Sequence, residues 1–126
     1  MTQFQRIERP RVAVTRKLLP QIEARMAELF DCRFNADDHP MSADEIVELM
    51  QDADILVPTV TDRIDADLIA KAPASLKMFA NFGAGVNHID LAAAKAKGIL
   101  VTNTPGVFTD DTADLTMALI LNVPRR

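Results

Sequence analysis

Residues 76–101 read LKMFANFGAGVNHIDLAAAKAKGILV, and this stretch decides the class of fold. Leu76-Lys77-Met78-Phe79-Ala80 is short and apolar enough for a buried strand, a glycine-bearing loop follows, and Ile89 to Lys97 has the composition of a helix. Gly98 stands where a helix C-terminal glycine belongs, with Lys95 and Lys97 at the negative end of the helix dipole. Ile99-Leu100-Val101 then begins another strand. Strands joined by a helical crossover run parallel, because the helix carries the chain back to the end of the sheet where it started.

The same alternation extends to the N-terminal side. Val12-Ala13-Val14 predicts strand one, and Pro20 suits the first turn of a helix that carries Ile22, Met26, Leu29 and Phe30 on one face. Cys32-Arg33-Phe34 predicts strand two, followed by the polar turn Ala36-Asp37-Asp38-His39-Pro40. Ser42 with Glu45 three residues on is a capping box, and its helix carries Ile46, Val47, Leu49 and Met50. Ile55-Leu56-Val57, halted by Pro58, is strand three; Asp65, Leu68, Ile69 and Ala70 lie on a short helix ending before Pro73. Five strands separated by helices predict an α/β fold: a flavodoxin-like, doubly wound, five-stranded parallel sheet with a C-terminal crossover helix.

That last helix is unusual. Thr109 is a good N-cap, and Asp110, Asp111 and Asp114 place negative charge at the positive end of the dipole. Beyond them Leu115, Met117, Ala118, Leu119, Ile120, Leu121 and Val123 leave few polar faces, and a helix apolar nearly all round is normally buried on more than one side. A five-stranded domain covers only one side, so a second domain or second subunit is expected against Leu115–Val123. A helix wrapped tightly within one domain is the alternative.

Composition narrows the function classes. The 126 residues are 48% hydrophobic and 25% charged, with 14 basic against 18 acidic side chains and a net charge of −4. That is one domain, able to bury roughly two-thirds of its unfolded surface without disulfides or metals. No basic run is present to neutralise phosphates, so nucleic acid is not an expected partner. The single Cys32 excludes a disulfide framework and a thiolate zinc cluster, and its neighbours Phe30 and Phe34 predict burial. No metal-ligand spacing occurs, and the apolar stretch Leu115–Val123, interrupted by Thr116 and Asn122, is too short to span a bilayer. With no signal-peptide pattern, the expectation is a soluble cytoplasmic protein.

In an open α/β sheet, ligands bind at the carboxyl ends of the strands. The loop Thr15–Pro20 has neither a glycine to cradle FMN phosphate nor clustered carboxylates for magnesium. The loop Asn81–Asp90 offers Gly83-x-Gly85, but His88 stands where a dinucleotide fingerprint needs its third glycine, and no acidic residue closes a second strand at the required interval. These glycines admit a carboxylate or phosphate to bare backbone N–H groups near a helix start; a tight turn explains them equally well. After strand five, Thr109 and Thr112 lie one turn apart where both can reach a ligand, although Thr109 is also explained as a cap. His39 lies in a polar turn, and His88 has no orienting carboxylate beyond Asp90. No Ser-His-Asp or Cys-His set is available, so the residues point to binding rather than to a self-sufficient active site.

Residues 81–121, NFGAGVNHIDLAAAKAKGILVTNTPGVFTDDTADLTMALIL, closely resemble the D-isomer-specific 2-hydroxyacid dehydrogenases, particularly the glyoxylate and hydroxypyruvate reductase branch. The resemblance rests on the glycine loop, Ile89-Asp90, the run from Ala94 through Gly98-Ile99-x-Val101-x-Asn103-Thr104-Pro105-Gly106, and Thr109-x-x-Thr112-Ala113-Asp114. Ala53–Val57 and Ile64–Leu68 fit more loosely. It implies a substrate (catalytic) domain at 1–108 and, at 109–126, a crossover helix toward an absent NAD(P)-binding domain. The complete enzyme would reduce a small 2-keto acid such as glyoxylate or hydroxypyruvate with NADH or NADPH.

Carried over residue by residue, the backbone of Ala84 and Gly85, with Val86 adjoining, holds the substrate carboxylate. The resemblance likewise implies Val60 and Thr61 as further substrate contacts, from the loop after strand three, and Thr112 and Thr109 as residues near the cofactor. Asn87 stands where many relatives have Asp. The family's Gly-x-Gly-x-x-Gly domain, catalytic arginine, its carboxylate partner and its general-acid histidine follow the final helix, and His88 does not match that histidine. The expectation is therefore a truncated chain with no catalytic residue, no turnover and little affinity for NAD or NADP alone. The competing expectation is a non-catalytic interaction module that forms a homodimer through the final helix.

Overall fold

The computed structural model describes residues 9–125; residues 1–8 and 126, at the edges of the expected units 1–108 and 109–126, lie outside the described residues. Five strands, β1 (Arg11–Val14), β2 (Asp31–Arg33), β3 (Ile55–Val57), β4 (Met78–Ala80) and β5 (Leu100–Thr102), form one sheet in the order β2-β1-β3-β4-β5. Every pairing is parallel. This is the predicted flavodoxin-like order, with its switch point between β1 and β3.

Local chemistry sets the helix boundaries. Pro20 opens α1 (Pro20–Leu29), and the Ser42/Glu45 capping box opens α2 (Ala43–Gln51) as predicted. Asp65 caps α3 (Ala66–Ala70), accepting from Leu68 N at 3.0 Å, and Asp90 caps α4 (Leu91–Ala96), accepting from Ala93 N at 2.9 Å. Gly98, with φ +74°, makes the left-handed exit from α4 that favours glycine. The final helix α5 (Thr109–Asn122) runs into a 3-10 turn, Val123–Arg125.

Alternation along the strands divides the core. Ala13, Leu56 and Phe79 face α2, α3 and α4, packing with Ile46, Leu49, Met50, Leu68, Ile69 and Ala94. Val12, Val14 and Val57 face the other way, toward Leu18 and the half-buried Met26 and Phe30 of the α1 side. That second layer is thin: α1 buries none of its residues fully, and Leu100 on β5 is 55% exposed.

Several expectations are corrected. Strand β2 starts one residue earlier than predicted and ends at Arg33, while β5 is displaced one residue later. Leu76 and Lys77 precede β4, and Ile89 is not helical because it bridges Ile64, leaving Asp90 as the cap. Cys32 is half-buried rather than buried, because β2 is an edge strand covered only by the thin α1 layer; burial still raises its thiol pKa. Ile22 and Leu29 are exposed for the same reason. Thr109 is not the cap of α5: Phe108 occupies that position, with no side-chain capping bond. Nor is α5 wrapped onto the sheet, since every residue from Thr102 to Pro124 is exposed. Among the described residues no helix is long and apolar enough to cross a membrane.

Candidate functional site

At the carboxyl ends of the strands, the loops after β3 and β4 lie side by side. Phe82 N donates to Pro58 O at 2.8 Å, and Thr59 and Phe82 form a parallel bridge. The β3 loop is fastened to β1 by Asp62, only 5% exposed, which accepts from Thr15 Oγ1 at 2.5 Å and from Thr59 N at 2.7 Å. Beside it Arg16 donates to Asp38 at 2.8 Å and to Thr61 Oγ1 at 3.0 Å. The Arg16 guanidinium and the Lys17 amide together hold the Asp38 carboxyl down to about 2.

The loop after β4 is organised by Asn81, which is 3% exposed. Its Nδ2 donates to Gly83 O at 3.0 Å and to Gly85 O at 2.9 Å, and its Oδ1 lies 2.9 Å from His88 Nε2. Two carbonyl acceptors fix which end of the amide is nitrogen, so Oδ1 must accept and His88 Nε2 must carry a proton. Burial lowers the His88 pKa below its ordinary value, against a smaller opposing pull from Asp62. Two further bonds complete the framework: Thr104 N donates to Gly83 O at 3.0 Å, and Asn103 Nδ2 to Ala84 O at 2.8 Å.

The carbonyls of Gly83, Ala84 and Gly85 are thus all held by the protein. In a planar trans peptide the following N–H points opposite to the carbonyl, so the amides of Ala84, Gly85 and Val86 are turned away from those partners. None of the three donates to any acceptor among the described residues, and neither do the amides of Val60 and Thr61. Consecutive unpaired amides on an exposed loop are donors that an anion can reach.

The two glycines of this loop have different reasons. A Cβ on Gly83 would lie 3.0 Å from Val60 Cγ1 and 3.4 Å from Asn81 Nδ2, so close packing explains it. A Cβ on Gly85 would meet nothing within 4 Å, and its φ is not left-handed. Neither glycine has the positive φ that a tight turn would demand, so close packing against Val60 accounts for Gly83, and the chain's own packing leaves Gly85 unexplained.

Between this loop and α5 lies a cleft of about 540 Å³ whose walls include Ala84, Phe108, Thr109, Thr112 and Met117. It brings Ala84 together with Thr109 and Thr112, whose hydroxyls bond to nothing among the described residues. Val60 sits beside Gly83. Gly85 and Val86 adjoin the cleft only through the chain, and Thr61 is engaged by Arg16. A wider groove of about 1250 Å³ lies at the opposite, amino ends of the strands, beside the Arg11–Asp54 ion pair. The carboxyl-end cleft is the better candidate, since ligands of parallel sheets bind there. His39 pairs with Glu45 at 3.1 Å and belongs to neither.

Sequence reasoning missed Asp62, Asn81 and Arg16 as organisers of the site. An asparagine directly after a strand and two residues before Gly83 is a local cue, but nothing in the sequence marks it as buried.

Residues 12–118 match the family described as D-isomer specific 2-hydroxyacid dehydrogenase, catalytic domain. The chain belongs to this family. A glyoxylate reductase of Korarchaeum cryptofilum is 40% identical over 118 residues, covering 94% of this chain and 35% of that protein. Among solved structures, a D-isomer specific 2-hydroxyacid dehydrogenase from Polaromonas has a TM-score of 0.81 at 35% identity over 90% of this chain and 35% of the other. The NADPH-dependent glyoxylate/hydroxypyruvate reductase of Sinorhizobium meliloti, solved with NADP and malonate, has a TM-score of 0.72 at 32% identity. It is covered to 34%, and this chain to 91%. The chain thus spans about a third of the length of the 2-hydroxyacid dehydrogenases that it matches.

Proposed function

We propose that this chain anchors the carboxylate of a small 2-keto or 2-hydroxy acid, such as glyoxylate or hydroxypyruvate, within an NAD(P)-dependent 2-hydroxyacid dehydrogenase. The observation that carries this reading is three successive peptide units whose carbonyls are bonded within the protein, two of them to the buried Asn81 and one to Asn103, while the N–H groups of Ala84, Gly85 and Val86 are left free among the described residues. Val60 and Thr61 would add contacts from the neighbouring loop. The Sinorhizobium protein was solved with malonate, a small dicarboxylate that shares the carboxylate group but lacks the 2-oxygen of these acids.

A nicotinamide cofactor supplies the hydride in such a reaction. The cleft beside Ala84 fits one uncharged end of it: Thr112 and Thr109 offer hydroxyls for an amide, and Phe108 and Met117 an apolar wall. A pyrophosphate would not fit there, because Asp110 and Asp111 occupy the first turn of α5. Within this division residues 1–108 hold the acid, and 109–126 lead toward a cofactor-binding unit. The 126 residues hold no group that we assign to the chemical step, so the chain alone binds the acid without turnover.

Titrating the ¹⁵N-labelled chain with glycolate tests this directly. Shifts at the Ala84, Gly85 and Val86 amides are expected, with no glyoxylate-dependent oxidation of NADH or NADPH. Binding that leaves these amides unmoved would refute the site.

Exposure of Leu115, Leu119, Ile120 and Val123 on α5 favours a second reading, in which the chain self-associates through this helix. The same apolar face would serve a cofactor-binding unit or a second copy equally well.

A further inference from the structure

Two side chains that present no donor to the anion set the shape of the glycine loop. Asn81 is buried at the end of β4, and its carboxamide is used three times: twice as donor, to Gly83 O and Gly85 O, and once as acceptor, from His88 Nε2. His88 therefore closes a ring across residues 81–88. We propose that Asn81 and His88 are positioning residues for substrate: together they hold two of the three loop carbonyls inward, and so aim the amides of Ala84 and Val86 at the carboxylate. This rests on the assignment of those amides to carboxylate binding.

The residue types are what the geometry requires. Only a carboxamide donates two hydrogen bonds and accepts a third from one planar group; an aspartate at position 81 would face both carbonyls with like charge, and a leucine would bond to neither. His88 must donate from Nε2, which the neutral Nε2–H tautomer and the imidazolium can both do and the Nδ1–H tautomer cannot. Gly83 O has a second partner in Thr104 N, but Gly85 O depends on Asn81 alone among the described residues. The peptide between Gly85 and Val86 is therefore the one most exposed to loss of the clamp.

The test uses the ¹⁵N-labelled 126-residue chain and glycolate. In the wild type, the His88 ring nitrogens should report a neutral Nε2–H tautomer; an Nδ1–H tautomer overturns the proposal without any substitution. His88→Ala should weaken glycolate binding about tenfold, the cost of one lost bond to a buried partner, and His88→Gln, which keeps a donor, should restore it to within about threefold. Asn81→Asp should displace the amide signals of residues 83–86 and raise the His88 pKa above its wild-type value, with the signals of the strands retained. Asp62 is the other charged group that acts on this ring. If His88→Ala and Asn81→Asp both bind glycolate within twofold of wild type, the proposal fails. If glycolate does not bind the wild type at all, the carboxylate assignment fails. The ligand-free loop signals still judge the clamp: unchanged in Asn81→Asp, they overturn it; displaced, they uphold it.

Discussion

Gly85→Ala should make the chain more stable and a poorer binder at once. The added methyl meets no atom within 4 Å, and the backbone at Gly85 is not left-handed, so the folded state bears no strain from it. The unfolded chain loses freedom, which stabilises the fold by about 0.4–1 kcal/mol, or about 1–5 °C in Tm for a domain of this size. The same methyl stands over peptide units whose amides we assign to the carboxylate, and it obstructs contact at hydrogen-bond distance. Gly83→Ala is the matched control. Its Cβ would press on Val60 Cγ1 at 3.0 Å, and valine is stiff at χ1, so moving it aside costs about 0.5–1.5 kcal/mol. That offsets the gain in the unfolded state and leaves the variant between about 0.5 kcal/mol more stable and about 1 kcal/mol less stable than wild type. Urea denaturation gives both stabilities, and titration of the labelled chain gives glycolate affinity. A Gly85→Ala chain that loses more than about 1 kcal/mol, or that binds glycolate as well as wild type, would refute the reasoning.

Acid should destabilise the chain in a defined window. Asp38 and Glu45 are each held at about 2, below ordinary values of 3.8 and 4.5, so the folded state resists protons that the unfolded chain takes up. Their stabilisation is complete above about pH 5 and is lost as pH falls from there toward 2. His88, whose pKa is also lowered, adds a loss that begins as pH drops below 6.5. Thermal melts between pH 7 and 2 should show this, and Asp38→Asn with Glu45→Gln should flatten the lower part; an unchanged profile would contradict the assigned contacts. On α5, Leu115→Glu with Leu119→Glu should change stability by less than about 0.5 kcal/mol, since both side chains are exposed, while reducing self-association in sedimentation. A dimer insensitive to both substitutions would exclude α5 as its interface.

The order of strands was legible because each one is announced locally: by Pro58 after Val57, by the Ser42/Glu45 box, by Gly98 between α4 and Ile99. Strand ends moved by a residue or two where a tertiary bond competed with local preference, as when Ile89 left the helix to bridge Ile64. Gly83 and Gly85 looked alike in sequence, and their difference lies in a contact to Val60 from another loop. Asn81 and Asp62 were illegible for the same reason: their partners are fixed only once the sheet sets neighbouring loops in place, and nothing in composition marks a polar residue as buried. Thr109 shows the opposite failure, a strong local cap signal that α5 does not use.

Openness of the site bears on how tightly it can hold its ligand. Ala84 and Gly85 are exposed, so water satisfies their amides in the free chain, and a carboxylate replaces those bonds rather than adding new ones. Even the best tiny ligands gain at most about 1.5 kcal/mol per heavy atom, a ceiling that requires enclosure the exposed loop does not provide. Glycolate should therefore bind the 126-residue chain with a Kd of about 1 mM, near −4 kcal/mol. The Thr112 and Thr109 hydroxyls, across the cleft from Ala84, add little while α5 remains solvated. Covering α5 would dry both sides of the cleft together and strengthen the amide bonds as the local dielectric falls. Micromolar binding by the 126-residue chain would show that the loops enclose the acid without help and would overturn this view that covering α5 tightens the site.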